Sequence, residues 1–259
     1  MLTLTVSIIT KNRRDILKRC LTSIYEKIKD IDYEVIVVDN HSSDGTVQMI
    51  MNEFSNVILV KNKANLGVAG GRNKILDIYQ GNFLLFLDDD TEILSSNFGK
   101  LIDFMKKKDI GITGCRLITN DKIYPSARKF PKPINVIAKR LSFIPFLKKS
   151  SLLRPYREFL TEDKNPIEVD WVIGAFQLIK REAQEKVGKL DEIMKFGFED
   201  ADYCARMKKA NYTIWYYPAF ETIHYKGVVS ERSFSKYTLY FIKSYFWFYL
   251  KHRDLLRSS

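Results

Sequence analysis

Five consecutive apolar residues that run into three carboxylates constrain the fold of this chain more than any other stretch. The run Phe83-Leu84-Leu85-Phe86-Leu87 is too short to form a helix of its own, and Asp88-Asp89-Asp90 follows it directly. An apolar run of this length is typical of a strand that is buried on both faces, as in a parallel sheet. Ligands of open α/β sheets bind beyond the carboxyl ends of the strands, so the three aspartates are predicted to lie where a binding site should be.

Three adjacent carboxylates repel one another, and a divalent cation would relieve that repulsion. Hard cations prefer oxygen ligands, and in nucleotide enzymes one or two carboxylates share the ion with phosphate oxygens. The alternative interpretation is an acidic turn whose aspartates cap the helix predicted after Ser95-Ser96. This stretch alone does not decide between the two interpretations.

The size and charge of the chain narrow the class of protein. Its 259 residues are enough for one large α/β domain or for two fused halves with a sizeable core. The net charge of +11 indicates a polyanionic partner, such as nucleic acid, an anionic membrane surface or a phosphorylated substrate.

The three cysteines lack metal-ligand spacing and predict reduced thiols in a cytosolic protein. We expect neither a secretory signal nor a membrane-spanning helix, because no apolar run is long enough.

The N-terminal part alternates strand, helix and strand. Residues 3–9 and 33–38 have the composition of strands, and residues 14–28 place apolar side chains at helical spacing. This order predicts a βαβ unit with a right-handed crossover. Asp39 follows the second strand and is placed to accept hydrogen bonds from a ribose or a base. A lone aspartate at such a position is more often a turn residue or a helix cap, and that alternative stays open.

Residues 65–73 combine glycines with a cation at the predicted start of a helix. Gly67, Gly70 and Gly71 would let backbone N–H groups approach a phosphate, and Arg72 adds a positive charge. The glycine spacing is not that of a dinucleotide-binding fingerprint, and no Gly-Lys-Ser/Thr follows as in a P-loop. Tight packing of the helix is the alternative reason for the glycines.

Four motifs, in this order and spacing, resemble family 2 glycosyltransferases of the GT-A fold, and in particular the bacterial rhamnosyltransferase-like members. The motifs are Thr10-Lys11-Asn12-Arg13, Asp39-Asn40-His41-Ser42-Ser43-Asp44-Gly45, the glycine-containing segment 65–73, and Leu87-Asp88-Asp89-Asp90. The resemblance implies an α/β fold with a Rossmann-like mixed sheet flanked by helices. It also implies inverting transfer of a sugar, with rhamnose as one candidate, from a nucleoside diphosphate sugar.

The resemblance assigns roles to the residues of these motifs. Asp88 and Asp90 would be the two ends of the family's Asp-X-Asp element, and His224 would complete a site for Mn²⁺ or Mg²⁺. A hydrogen-bonded structural role is the alternative for His224. The residues assigned to the donor sugar nucleotide are Thr10, Asn12, Arg13, Asp39, Asn65, Gly67, Gly71, Arg72, Asp88 and Asp89.

Two motifs of the second half resemble the acceptor side of the same family. Residues 169–179 are predicted to form one buried strand, in which Trp171, Gly174 and Ala175 would bind the acceptor. Residues 196–206 open a helix, and by resemblance Asp200 would be the base that deprotonates the acceptor hydroxyl, with Glu199 in support. Acidic residues in a first helical turn are also favoured by the helix dipole alone, and Asp202 can form an i, i+4 pair with Arg206.

Two further segments indicate contact with an anionic membrane surface. Residues 122–157 mix cations with apolar side chains, and residues 235–253 are rich in aromatic residues and end in Lys251, His252 and Arg253. The alternatives are a solvated insertion for the first segment, and a dimer interface or a helix packed on the catalytic domain for the second. We therefore expect residues 1–115 to bind the donor, 116–230 to bind the acceptor and catalyse, and 231–259 to bind membrane or form oligomers.

The predicted function is transfer of a sugar to a glycan or a lipid-linked saccharide in cell-surface polysaccharide synthesis, at the inner face of the cell membrane. A sugar-phosphate nucleotidyltransferase is the alternative within the same broad class, but residues 10–13 lack the glycine such enzymes usually carry after the first strand. A nucleic-acid-binding protein would explain the charge but not the ordered carboxylates at strand ends, so no nucleic acid partner is expected. A non-catalytic protein that binds nucleotide sugars is the third alternative.

Overall fold

The computed structural model describes residues 2–107, 109–140, 146, 150–156, 164–194, 197–225 and 236–257. Parts of the predicted basic segment (141–145, 147–149 and 157), residue 196 of the acidic motif, and residue 235 at the start of the aromatic segment lie outside these ranges. The first part of the chain alternates strands and helices. In chain order these are β1 (Leu4–Thr10), α1 (Arg14–Lys27), β2 (Tyr33–Asp39), α2 (Thr46–Glu53), β3 (Val57–Lys61), α3 (Gly67–Leu76) and β4 (Phe83–Asp88).

The second part mixes short strands with helices. Its elements are β5 (Thr91–Ile93), α4 (Phe98–Met105), β6 (Ile110–Thr119), β7 (Lys122–Tyr124), β8 (Ala127–Arg128), α5 (Pro133–Arg140), a 3₁₀ turn (Ser151–Tyr156), β9 (Ile167–Val169), β10 (Trp171–Val172), β11 (Phe176–Lys180), α6 (Arg181–Val187), α7 (Glu199–Lys209), β12 (Thr213–His224) and α8 (Lys236–Arg257).

Ten of the described strands form one mixed sheet, as predicted. Its main order is β3-β2-β1-β4-β11-β6-β12-β5. The strands from β3 to β4 are parallel, whereas β11 runs antiparallel to both of its neighbours. The boundary predicted at residue 115 falls inside β6, so the two predicted halves share one sheet.

The strand β4 is buried on both faces, and this confirms the prediction made from its unbroken apolar run. Leu84 and Phe86 belong to one hydrophobic cluster, while Phe83, Leu85 and Leu87 belong to another. This alternation is what the pleat of a strand produces when the sheet is covered on both sides. The acidic stretch therefore lies at the edge of the core, directly after a strand that is packed on both faces.

Two predicted strands differ from the observed ones. The single strand predicted over residues 169–179 is divided into β9, β10 and β11, because β10 leaves the main sheet and pairs with β8. The composition of residues 212–217, followed by Pro218, predicts a strand that ends at Tyr217. The observed strand β12 instead continues to His224, with an irregular register between Tyr217 and Glu221. Pro218 lies in that gap, and a proline without an N–H interrupts the hydrogen-bond ladder without ending the strand. His224 is thus the last residue of a strand and not part of a loop.

The C-terminal helix α8 packs on the rest of the domain through one face. Phe248, Ser244 and His252 are buried, and Tyr245 Oη donates a hydrogen bond of 3.2 Å to the carbonyl of Pro131. The ring of Phe198 contacts Phe241, Tyr245 and Phe248. This face therefore packs against the domain, which is one of the alternatives given for residues 235–253. In the described ranges, no helix combines the length and apolar character that crossing a bilayer requires.

Two phenylalanines on opposite faces of α8 give a matched test of this packing. Phe248 is 0% exposed and Phe246 is 55% exposed. We expect Phe248→Ala to lower the free energy of unfolding by about 3 kcal/mol, because it removes a buried ring and leaves a cavity. Phe246→Ala should change it by less than about 0.5 kcal/mol. Urea denaturation of both variants measures the difference, and equal small effects would show that α8 does not pack on the domain.

Candidate active site

Neighbouring parallel strands bring the first predicted site residues to one edge of the sheet. The register pairs Thr10 of β1 with Asp39 of β2, and Ile9 of β1 with Asp88 of β4. The carboxyl ends of these strands therefore lie side by side, as the sequence predicted. This edge carries Thr10, Asp39 and the whole acidic stretch.

Arg13 neutralises part of the acidic stretch. Its Nη1 donates to Asp89 Oδ1 at 2.9 Å and to Asp90 Oδ2 at 2.8 Å, and Thr10 Oγ1 donates to Asp89 Oδ2 at 2.8 Å. Burial raises the pKa of Asp89 to about 7, although Arg13 opposes that shift. Thr10, Arg13 and Asp89, which the sequence assigned to the donor, thus bind one another. Part of the repulsion that predicted a metal is relieved by an arginine.

Asp88, Asp90 and His224 form a cluster that fits a divalent cation. One ligand atom from each lies within 4.8 Å of the others. His224 Nε2 is 3.3 Å from Asp90 Oδ1, because β12 pairs with β5 and sets His224 opposite Thr91. Two carboxylate oxygens and one imidazole nitrogen suit Mn²⁺ or Mg²⁺, with positions left for phosphate oxygens. The structure therefore brings together the three ligands that the sequence proposed.

The three ligands are electrostatically poised for a cation. Burial alone would raise the pKa of Asp90, but hydrogen bonds from His224 and Arg13 hold it below its ordinary value. Burial raises the pKa of Asp88, and the charge of Arg72 only partly offsets this. A bound cation would add positive charge beside Asp88 and favour its ionised form.

Arg72 occupies a different position from the one the sequence suggested. It is 2% exposed, and its Nη2 donates to Asp88 Oδ1 at 3.1 Å and to the carbonyl of Gly174 at 2.7 Å. Its guanidinium also lies over the Phe86 ring, 4.7 Å from the centroid. A Cβ on Gly174 would lie 2.7 Å from Arg72 Nη1. Arg72 is therefore a buried brace between Asp88 and Gly174 and not a cation presented to solvent.

The glycines before Arg72 are explained by close packing. A Cβ on Gly71 would lie 2.8 Å from Ile9 Cγ2, and a Cβ on Gly70 would lie 2.9 Å from Leu66 Cβ. The Gly67 N–H already donates to Asn65 Oδ1 at 3.0 Å. Of the two interpretations of segment 65–73, the packing one fits these contacts, and the phosphate-binding roles of Asn65, Gly67 and Gly71 stay predictions.

Asp39 retains a free acceptor atom at the position expected for a ribose or a base. It is buried, and its Oδ2 accepts a hydrogen bond from the Ser42 N–H at 3.1 Å. Its Oδ1 has no hydrogen-bond partner among the described residues. Asn12 pins the adjacent loop, because its Oδ1 accepts from the Ser43 N–H at 2.8 Å. A buried acceptor without a partner is costly, so this oxygen is suited to a ligand hydroxyl or N–H group.

The two carboxylates at the start of α7 differ in exposure. Asp200 is half-buried, and its Oδ2 accepts from the Gly174 N–H at 2.9 Å. Glu199 is buried, and its Oε2 has no partner among the described residues. Burial, together with the nearby Asp200, raises the pKa of Glu199 to about 8. Burial also raises the pKa of Asp200, against hydrogen bonds from Gly174 and Ala201. Only Asp200 is both oriented and accessible.

Two of the three predicted acceptor-binding residues are in the core. Trp171 is 4% exposed, stacks on Phe198 with ring centroids 6.3 Å apart, and donates from Nε1 to the Lys129 carbonyl at 3.1 Å. Ala175 is buried, and its carbonyl accepts from the Asp88 N–H at 3.1 Å. These residues support Asp88 and Phe198 and present little surface to an acceptor. Gly174 instead touches Asp200 and Arg72.

A buried charge cluster beside α7 is the feature that sequence reasoning missed. Asp202 is fully buried and accepts from Arg206 Nε at 2.8 Å, from His252 Nε2 at 2.8 Å and from Lys251 Nζ at 2.9 Å. These bonds hold its pKa well below the ordinary value despite burial. The i, i+4 spacing predicted the Arg206 bond, whereas the bonds from α8 had no local signal. These bonds attach α8 to α7 at Asp202, two residues after Asp200.

The raised pKa of Glu199 predicts a pH-dependent effect of Glu199→Gln. Above its ordinary value of 4.5 the side chain ionises in the unfolded chain, while the folded chain keeps the proton up to about pH 8. The wild type therefore loses stability as pH rises through this window, and glutamine removes the loss. At each pH we take the unfolding free energy of the variant minus that of the wild type. We expect this difference to be higher at pH 8 than at pH 5 by on the order of 2 kcal/mol. Urea titrations at both pH values measure it; a larger gain at pH 5 would mean that Glu199 is ionised when folded.

Comparison with known proteins identifies the family. Residues 5–188 match the model of Glycosyl transferase family 2. The chain is 28% identical over 207 residues to N-acetylglucosaminyl-diphospho-decaprenol L-rhamnosyltransferase of Mycobacterium tuberculosis. The alignment covers 74% of this chain and 66% of that protein. It is 24% identical over 260 residues to Rhamnosyltransferase WbbL of Escherichia coli, covering 96% and 94% of the two chains.

A solved structure shows the same fold. The mannosyltransferase PcManGT from Pyrobaculum calidifontis, in complex with GDP-Man and Mn²⁺, superposes with a TM-score of 0.62 at 18% identity, over 89% of this chain and 59% of that one. The predicted mixed α/β GT-A fold is thereby confirmed. So is the predicted resemblance to bacterial rhamnosyltransferases, since two relatives carry that name. Because the family match extends over more than half of its residues, this chain belongs to glycosyl transferase family 2.

Proposed function

We propose that this protein is a metal-dependent, inverting glycosyltransferase that moves a sugar from a nucleoside diphosphate sugar to a hydroxyl group of a glycan or lipid-linked saccharide. One observation supports the proposal: a carboxylate with a free acceptor and a three-residue cluster that fits a cation lie at one sheet edge, and Gly174 and Arg72 connect them by hydrogen bonds to a half-buried carboxylate. These are Asp39, the cluster of Asp88, Asp90 and His224, and Asp200.

The donor end of the site is built from groups that recognise a nucleoside diphosphate. Asp39 Oδ1 would accept a hydrogen bond from the nucleoside, which removes the cost of its unpartnered burial. Asp88, Asp90 and His224 would hold the cation. When bound, the cation would neutralise charge that develops on the departing diphosphate. Arg13 and Arg72 hold these carboxylates in place, since Arg13 binds Asp90 Oδ2 and Arg72 binds Asp88 Oδ1.

Asp200 is proposed as the base that takes the proton from the acceptor hydroxyl. The Gly174 N–H orients its carboxylate, and its raised pKa brings it closer to the value useful for proton transfer near neutral pH. Glu199, protonated at neutral pH, adds no second negative charge beside it. A single attack by the deprotonated hydroxyl from the face opposite the leaving diphosphate inverts the anomeric carbon.

The acceptor class is supported by the relatives. The mycobacterial relative is named for a sugar carried on diphospho-decaprenol and for transfer of L-rhamnose, and the relative from Escherichia coli is also named a rhamnosyltransferase. We propose a rhamnose donor and a lipid-linked saccharide acceptor by analogy. The family match and the strand-end carboxylates do not favour a nucleotidyltransferase or a nucleic-acid-binding protein.

The cation cluster predicts how nucleotide binding depends on metal. We expect Asp90→Ala to abolish the gain in nucleoside diphosphate affinity that Mn²⁺ or Mg²⁺ brings to the wild type, about tenfold or more. Calorimetric titration with metal and with EDTA measures the gain. Asp39→Asn serves as the control, because it should weaken nucleotide binding with and without metal. A metal-dependent gain that persists in Asp90→Ala would remove that residue from the cluster.

The different environments of Asp200 and Glu199 predict different effects of two amide variants. Asp200→Asn cannot accept a proton, so turnover should fall by about 10² or more with donor affinity nearly intact. Glu199→Gln resembles the protonated side chain and should keep turnover within about tenfold of wild type. Mass spectrometry of products from a panel of UDP-, dTDP- and GDP-sugars with lipid-linked acceptors gives the rates. Near-normal turnover in Asp200→Asn with an inactive Glu199→Gln would move the role of base to Glu199.

A further inference from the structure

The helix α8 is apolar on two opposite faces, and the described part of the domain covers one of them. The inner face, with Phe248 at its centre, packs on the core around Phe198. The outer face leaves large apolar side chains more than 40% exposed, and they recur at helical spacing along the helix. They are Leu239, Tyr240, Ile242, Phe246, Trp247 and Leu250. A contiguous apolar stripe of this kind marks an interaction surface, whereas scattered exposed apolar residues need no explanation.

The charges on the outer face select the kind of partner. Lys243 and Arg253 lie among the exposed apolar residues, are exposed themselves, and have no ion-pair partner among the described residues. The acidic residue of α8, Asp254, is already paired with Lys209 at 3.0 Å. A partner therefore has to offer apolar contact and negative charge together. A second copy of this chain fits poorly, because a symmetric interface would set these cations against each other.

We propose that the outer face of α8 docks on a phospholipid bilayer with anionic headgroups. The backbone of α8 is kinked at His252, and its straight part, residues 236–251, is about 24 Å long. This part would lie flat in the interface, with Trp247 and Tyr240 near the headgroups and Lys243 beside a lipid phosphate. Two exposed isoleucines, Ile134 and Ile137, lie on α5, which begins just after the Pro131 carbonyl that Tyr245 binds.

The inner-face contacts make this docking surface rigid with respect to the candidate base. Asp202 of α7 is bonded to Lys251 and His252 of α8, and Asp200 lies at the start of the same α7. Docking α8 on a bilayer therefore fixes the distance between the bilayer and the catalytic carboxylate. For a lipid-linked acceptor this arrangement would present the site at a constant height above the headgroups. That consequence rests on the proposed function, whereas the docking itself does not.

Vesicle sedimentation of the full chain tests the docking, without donor or acceptor. Wild type should bind vesicles of phosphatidylglycerol and phosphatidylcholine, and should bind pure phosphatidylcholine much more weakly. Phe246→Asp places a charge at the centre of the outer face and should weaken binding by about tenfold or more. Met51→Asp on α2 is the matched control, because Met51 is 62% exposed but remote in sequence and on another helix, and it should leave binding unchanged. Lys243→Glu should weaken binding about fivefold and flatten its salt dependence.

The unfolding midpoint and the sedimentation coefficient of each variant are measured alongside. Phe246→Asp should keep the wild-type midpoint, since the residue is exposed; deletion of α8 is avoided because it would uncover the core around Phe198. The proposal is overturned if wild type does not bind anionic vesicles, if Phe246→Asp and Met51→Asp behave alike, or if Phe246→Asp merely dissociates a dimer. Because no turnover is measured, these outcomes leave the proposed glycosyl transfer to be judged by Asp200→Asn and Asp90→Ala.

Discussion

The pairing of Arg13 and Arg72 with the carboxylates at the end of β4 is the interaction on which the rest of the site depends. A strand buried on both faces brings three aspartates to one point, and without compensation the burial of Asp89 and Asp90 would cost a large amount of free energy. Arg13 binds Asp89 and Asp90 from the loop after β1, and Arg72 binds Asp88 from α3. Each arginine leaves part of the acidic cluster facing His224, where a cation would complete the neutralisation.

Arg72 also joins the donor end of the site to the acceptor end. Its guanidinium binds Asp88 on one side and the Gly174 carbonyl on the other, and the Gly174 N–H binds Asp200. Gly174, which has no side chain, thus lies between the cation cluster and the candidate base. Any Cβ at Gly174 would meet the Arg72 guanidinium, so this separation is set by packing. The two ends of the site are consequently held at one distance by a short, buried chain of hydrogen bonds.

A second buried carboxylate, that of Asp202, attaches α8 to the domain. Asp202 is fully buried and tolerates burial because Arg206, Lys251 and His252 all donate to it. Removing one of these donors would leave a buried carboxylate undercompensated, which costs far more than loss of a surface ion pair. The aromatic contacts of Phe198 add to this attachment on the other side of Asp200. A helix whose sequence predicts a membrane-binding segment is therefore also a structural part of the domain that carries Asp200.

The sequence by itself determined the local features: a doubly buried β4, the alternating strands and helices, carboxylates at strand ends, and the motif order that indicated the family. These follow from periodicity and short-range patterns, which adjacent residues carry. Only the tertiary structure decided that Arg13 and Arg72 serve the aspartates, that Trp171 is core, that Glu199 is buried beside an accessible Asp200, and that α8 has two apolar faces with different fates. Each of these depends on contacts between residues far apart in the chain, such as Asp202 with His252, for which spacing in the sequence carries no signal.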